Sequence, residues 1–204
     1  MTTRTPILAI AALLALSCGS AHAALFPVTG AITVNGNFGD LPAGTFGNSS
    51  YDPATGQLSS GSFVFPQSSV TVPVTGLGNV TVIYQLSQNA PSSAQVASDG
   101  VAAMTPVAMT LSVLRIDRPL PIATEPCHFS PINLELDGTG AASGLDLEDR
   151  AFTVPQTTDP CGGFASQINA ALVGNSNSIT VHLAGDFTPP AGDTDKIFVD
   201  GFDG

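Results

Sequence analysis

A period of two in the apolar residues governs what this chain can fold into. Val70, Val72 and Val74 are separated by Thr71 and Pro73, and Val80, Val82, Tyr84 and Leu86 alternate with Thr81, Ile83 and Gln85. The same alternation carries Met109, Leu111 and Val113 past Thr110 and Ser112, and Ile132, Leu134 and Leu136 past Asn133 and Glu135. It returns at Ile179, Val181 and Leu183, with Thr180 and His182 between them. Successive side chains of an extended strand point to opposite faces, so each run turns one apolar face inward and one polar face outward. Residues 28–34, 62–65 and 152–154 are shorter candidates of the same kind.

Glycine-rich breaks separate these runs. Gly76-Leu77-Gly78-Asn79 predicts a hairpin connection, and Asp137-Gly138-Thr139-Gly140 predicts a turn. About eight short strands joined in this way predict an all-β fold, an antiparallel β-sandwich. Only residues 164–172 read as a helix, with Phe164, Ile168 and Leu172 on one face at a spacing of four. Residues 35–60 and 88–103 are rich in Gly, Asn, Ser and Ala and read as long loops. The folded domain is expected to span 24–187. Residues 188–204 begin with prolines, carry repeated Asp, and read as an acidic tail outside the domain.

The first 23 residues have the layout of a secretory signal peptide. Arg4 precedes a short apolar run, and Ala21-His22-Ala23 supplies the small side chains that signal peptidase requires, so cleavage is expected between Ala23 and Ala24. The run is too short to span a bilayer, which takes about 20 apolar residues. Leu14-Ala15-Leu16-Ser17-Cys18 loosely matches a lipoprotein box, with lipidation of Cys18 as the alternative. The Ala-His-Ala site is the better formed of the two. Either outcome leaves Cys127 and Cys161 as a pair, and export makes a disulfide between them the expected state.

Charge narrows the partners. The chain has 16 acidic and 5 basic residues, a net charge of −11, and removal of the leader takes away a basic residue only. Such a surface repels phosphate backbones and anionic lipid heads, which argues against nucleic acid and polybasic membrane docking. After processing no integral membrane segment is expected. The chain is expected in the periplasm, in the medium or attached to the cell surface.

The tail, Asp195-Lys196-Ile197-Phe198-Val199-Asp200-Gly201-Phe202-Asp203, resembles the short D-x-I-F-x-D-G-F-[DE] motif that closes many otherwise unrelated secreted proteins of Gram-negative bacteria. The resemblance implies export, with a sorting or attachment step, and names no activity. Phe152-Thr153-Val154-Pro155, Cys161-Gly162-Gly163 and Asn177-Ser178-Ile179-Thr180 resemble segments of uncharacterised secreted bacterial β-proteins.

No catalytic motif stands out. There is no G-x-S-x-G elbow, and of the histidines only His128 and His182 survive processing. Cys and His lack zinc-ligand spacing. Residues 137–148 have the length of an EF-hand loop, but Ala142 stands where that loop needs Gly, so no calcium loop is expected there. Asp193, Asp195 and Asp200 in the tail could share a calcium ion, although a solvated acidic tail explains them more simply. No cofactor is expected. A glycan partner is weakened by the absence of Trp and the presence of only two Tyr, and a protein partner stays open. Residues 28–34 could serve as a strand donated to a neighbour, which would make the chain a pilus-like, self-assembling homo-oligomer. The leading expectation is a non-enzymatic exported β-protein with a binding or display role. The pilus-like subunit and a hydrolase with an unrecognised site are the alternatives.

Overall fold

A computed structural model describes residues 23–192 except Pro119. The predicted leader through His22, Cys18 included, lies outside the described residues, as does the tail from Asp193 onward with Asp195 and Asp200. Fourteen strands form among the described residues: β1 (Ala24–Val34), β2 (Asn37–Asp40), β3 (Phe46–Asp52), β4 (Gln57–Val64), β5 (Ser68–Val74), β6 (Gly78–Gln88) and β7 (Ser92–Val96) in the first half. The second half adds β8 (Val101–Met104), β9 (Val107–Arg118), β10 (Leu120–Ala123), β11 (Cys127–Leu134), β12 (Asp137–Ala141), β13 (Gly144–Val154) and β14 (Gly174–Leu183). One helix, α1 (Ala165–Leu172), sits between β13 and β14 and buries Ile168 and Leu172. This is where the i, i+4 spacing predicted it.

All pairings are antiparallel, and the ladder closes on itself. From β4 it runs through β3, β1, β14, β13, β12, β8 and β7, and β7 pairs back onto β4 with Leu58 opposite Ala94. This is an eight-stranded ring. Of the remaining strands, β2 pairs with β1, and the others form an outer sheet, β5-β6-β9-β11, with β10 also on β9. The outer sheet joins the ring's ladder at one register pair, Val64 opposite Ser87. The expected pair of separate sheets is therefore, in its hydrogen bonding, one continuous ladder that closes.

Alternation turns into burial as the sequence predicts. Val107, Met109, Leu111 and Val113 of β9 are buried. A register shift then lets Ile116, not Arg115, face inward. On β14, Ile179, Val181 and Leu183 face the core while Thr180 and His182 do not.

Three expectations are corrected. The stretch 35–60, read as a loop, contains β2, β3 and the start of β4, and 88–103 contains β7 and part of β8. Asp137-Gly138-Thr139-Gly140 is a strand, β12, and the turn falls after it at Ala142-Ser143. The strand number is fourteen, not eight.

One end of the ring is sealed by the chain itself. After β14 the residues 184–192 cross it as a strap: Ala184 N–H donates to the Pro27 carbonyl and Phe187 N–H to the Ala141 carbonyl, both at 2.9 Å. Phe187 is fully buried, its ring 4.9 Å from that of Phe26 and 5.2 Å from that of Tyr51. The Tyr51 hydroxyl donates to the Thr188 carbonyl at 2.6 Å. Burial, with the Asp186 and Asp52 carboxylates nearby, raises the Tyr51 phenol above its ordinary pKa, which keeps that donor protonated.

Candidate binding cleft

Cys127 and Cys161 form the expected disulfide, with Cα atoms 5.0 Å apart. It clips β11 of the outer sheet to the turn that precedes α1. Beside it, Asp159 takes two hydrogen bonds on one carboxylate oxygen, from the His128 backbone N–H at 2.8 Å and from its Nδ1 at 2.9 Å. The bond from the His128 side chain, then that from its backbone, hold the Asp159 carboxyl below its ordinary pKa. The His128 side chain is half-exposed, so this is a surface clasp around the disulfide.

His182 lies on the outer face of the ring, as its polar register predicts. Its Nδ1 is 2.6 Å from Asp146 on β13, directly across the ladder. A side chain at Gly144 would run into its imidazole, so the ring lies flat over that glycine. Neither histidine lies near the other. Among the described residues, no group of three or more His, Cys, Asp or Glu side chains is gathered to hold a metal ion. Ala23 and Ala24 are both exposed where β1 begins.

An almost wholly apolar concavity lies elsewhere. It opens between the inner face of the outer sheet and the far ends of β1, β2, β13 and β14. Val72, Val82, Leu86, Met109, Leu111 and Leu134 form one wall, and Ile32, Val34, Phe152, Val154, Leu172 and Ile179 form the other. The unfilled space is about 80 Å³. Only Asn37 and Tyr84 bring polar side-chain atoms to its lining, and no charged residue lines it. Phe38, also part of the lining, is 69% exposed, a large aromatic left in water at the rim.

The rim is held by a network that starts in a two-residue turn. Asn35 and Gly36 both have positive φ, 47° and 78°, which is the backbone an Asn-Gly hairpin of the mirror-image type requires. The turn reverses β1 into β2 and so places Phe38. Asn35 then reaches across to α1, its side-chain amide donating to the Ala171 carbonyl at 3.1 Å. Asn177, 2% exposed, accepts the Asn35 N–H at 2.7 Å and donates to the carbonyls of Phe152 and Gly174 at 2.8 and 2.7 Å. One buried amide thus fixes the hairpin, the end of β13 and the start of β14 together. With every group satisfied, such a network holds a site in one shape.

Alternation located the aliphatic walls of the cleft on β5, β6, β9, β11 and β14. The hairpin rim with Phe38, the Asn35 contact to the helix and the buried Asn177 were missed. Asn-Gly between residues 34 and 37 was the available signal for the hairpin. The role of Asn177 depends on contacts far apart in sequence and has no local mark. The chain matches no family model, no curated protein and no solved structure.

Proposed function

We propose that this chain is an exported, non-catalytic β-protein that binds a small apolar molecule or group in the cleft between its ring and its outer sheet. The observation that carries this reading is the cleft itself: an open, uncharged, almost wholly aliphatic space with a rim fixed by a buried hydrogen-bond network. A concave apolar site with few polar groups is the common form of a small-molecule site. At about 80 Å³ it holds only part of a ligand, since sites for whole drug-sized molecules measure roughly 300–1,000 Å³.

Export is supported by the disulfide, by the layout of residues 1–23 and by the tail motif. Among the described residues no helix is long and apolar enough to cross a membrane. The non-catalytic reading is favoured by where the histidines lie: each is bound to a carboxylate on the surface, and neither lines the cleft. Against the pilus-like alternative, β1 is already paired on both sides within its own chain, to β14 on one edge and to β3 and β2 on the other.

Native mass spectrometry of the protein recovered from the envelope and medium of its host tests the reading. The expected species starts at Ala24, lacks two hydrogens, and releases a bound small molecule on collisional activation. A polypeptide that starts at a lipid-bearing Cys18, or one with no adduct from any fraction, would overturn the soluble binding role.

A further inference from the structure

We infer that the cleft takes the end of an uncharged, unbranched alkyl chain, an inference that rests on the binding reading above. Three properties of the space select this ligand. The first is size. About 80 Å³ is roughly half of the 150 Å³ that accommodates a benzene ring in an engineered protein cavity, so it takes only the end of a larger ligand. A ring or a branched group exceeds it, whereas the last carbons of a straight chain enter singly. The second is continuity with an apolar rim. Phe38 is 69% exposed, and Ile32 and Val34 lead from the cavity toward it along β1, so methylenes that do not fit inside still find apolar surface at the mouth.

The third is charge. No cation lines the cleft, Arg115 is paired with Asp117 at 3.0 Å, and Arg150 is paired with Glu148. With a net charge of −11 on the chain, an anionic head group at the mouth would be repelled and would find no counter-charge. No acid lines the cleft to attract a cationic head either. The Asn37 side-chain nitrogen donates to the carbonyls of Val34 and Asn35 in its own turn, and its side-chain oxygen and the Tyr84 hydroxyl, without partners among the described residues, can meet a neutral head such as an alcohol or ester.

The chain carries a built-in reporter for the test. It has no Trp and two Tyr, and of these Tyr84 lines the cleft while Tyr51 packs under the strap at the other end of the ring. In the full-length secreted protein with Tyr51→Phe, Tyr84 emission is titrated with 1-hexanol, 1-octanol, 1-decanol, decanoate and 1-adamantanol. Saturable alkanol binding is expected, tightening with each added methylene by less than the about fourfold of full burial, because the added carbons lie on the rim. Decanoate and 1-adamantanol are expected to bind at least tenfold more weakly than 1-decanol. Leu111→Phe, which fills the space, is expected to abolish 1-decanol binding. Phe38→Ser, on an exposed hairpin where folding is not at issue, is expected to weaken it several-fold. Equal or tighter binding of decanoate or 1-adamantanol overturns the ligand class but leaves the cleft a binding site. Alkanol binding unaffected by both variants overturns the location. If none of these compounds binds, the binding reading falls with it.

Discussion

The eight-stranded ring and the outer sheet share one antiparallel ladder, but the ring mixes small inward residues with large ones, whereas the outer sheet turns mainly large aliphatic residues inward. Inside the ring, strands β3, β4, β7 and β12 turn Gly47, Ser49, Gly61, Ser92, Ala94 and Gly140 inward. On the outer sheet the inward residues are Val72, Val80, Val82, Leu86, Met109, Leu111, Ile132 and Leu134. The ring interior leaves little room: a Cβ on Gly47 would sit 3.3 Å from Leu183, and one on Gly140 would sit 2.8 Å from Val96. Closure brings opposite walls of a small barrel close, so small residues must alternate with large ones. The outer sheet does not close, and its large side chains meet the ring's strand ends without filling the space between. A tight, self-sealed region and a loosely filled one thus stand side by side, and only the second has room for a guest.

The largest effect is expected where the seal is cut. Phe187→Ala removes a fully buried ring that the strap alone inserts, and should cost about 3–5 kcal/mol in urea denaturation. If the two regions are independent, 1-decanol affinity of the folded fraction stays unchanged, and a parallel loss would show that strap and cleft are coupled. Next comes the disulfide. Closing a loop of 34 residues is worth about 3–4 kcal/mol in the chain-entropy picture. Because the outer sheet meets the ring's ladder at one register pair, Cys127→Ser with Cys161→Ser should speed hydrogen exchange in β9 and β11 more than in β1 and β14. Uniform acceleration would mean the two regions unfold as one. A smaller effect separates the interiors directly: Gly140→Val should cost about 1–3 kcal/mol by overpacking, while Val113→Ile on the cleft wall should stay within about 1.5 kcal/mol. Thermal melts of the two variants would show the difference, and equal costs would refute it.

The smallest expected effect is with pH. The Asp159 carboxyl titrates below its ordinary value in the folded state because of the bonds from His128. Its contribution is therefore present above the ordinary aspartate range, near 3.9, and is lost as pH falls through the lowered folded value. Protection factors of the amides of residues 155–164 should fall over that acid window. In Asp159→Asn this pH dependence should vanish.

How much of this was legible in sequence follows the same division. The outer sheet was readable because aliphatic residues alternate there with Thr and Ser over whole strands, as Met109, Leu111 and Val113 do. Half of the ring was not: β3, β7, β8 and β12 fall in stretches read as loop or turn. In β3 the inward positions are Gly47 and Ser49, so hydropathy sees a polar, glycine-rich stretch and predicts a loop. In β12 the glycines that read as a turn, Gly138 and Gly140, are there because the backbones of Asp146 and Phe187 and the Val96 side chain approach too closely for a side chain. Small residues mark flexible loops and crowded interiors alike, and only the long-range pairing distinguishes them. Of the candidate site, the walls belong to the legible sheet. The rim depends on Asn35 and Asn177, which are 142 positions apart and meet only in the fold.

The strap at residues 184–192 also decides how the molecule bears load. A pull on residue 192 is transmitted past Phe187 into β14, which is held between two antiparallel neighbours, β1 from Val28 to Thr33 and β13 from Leu145 to Val154. Tension along that strand shears both ladders at once, so their hydrogen bonds resist together and do not open one after another. A chain held by its C-terminal end would be gripped through a strand paired along both edges. The opening rimmed by Phe38, six to eight residues farther along β1 and β14 or about 20–25 Å away, would then face outward from the point of attachment.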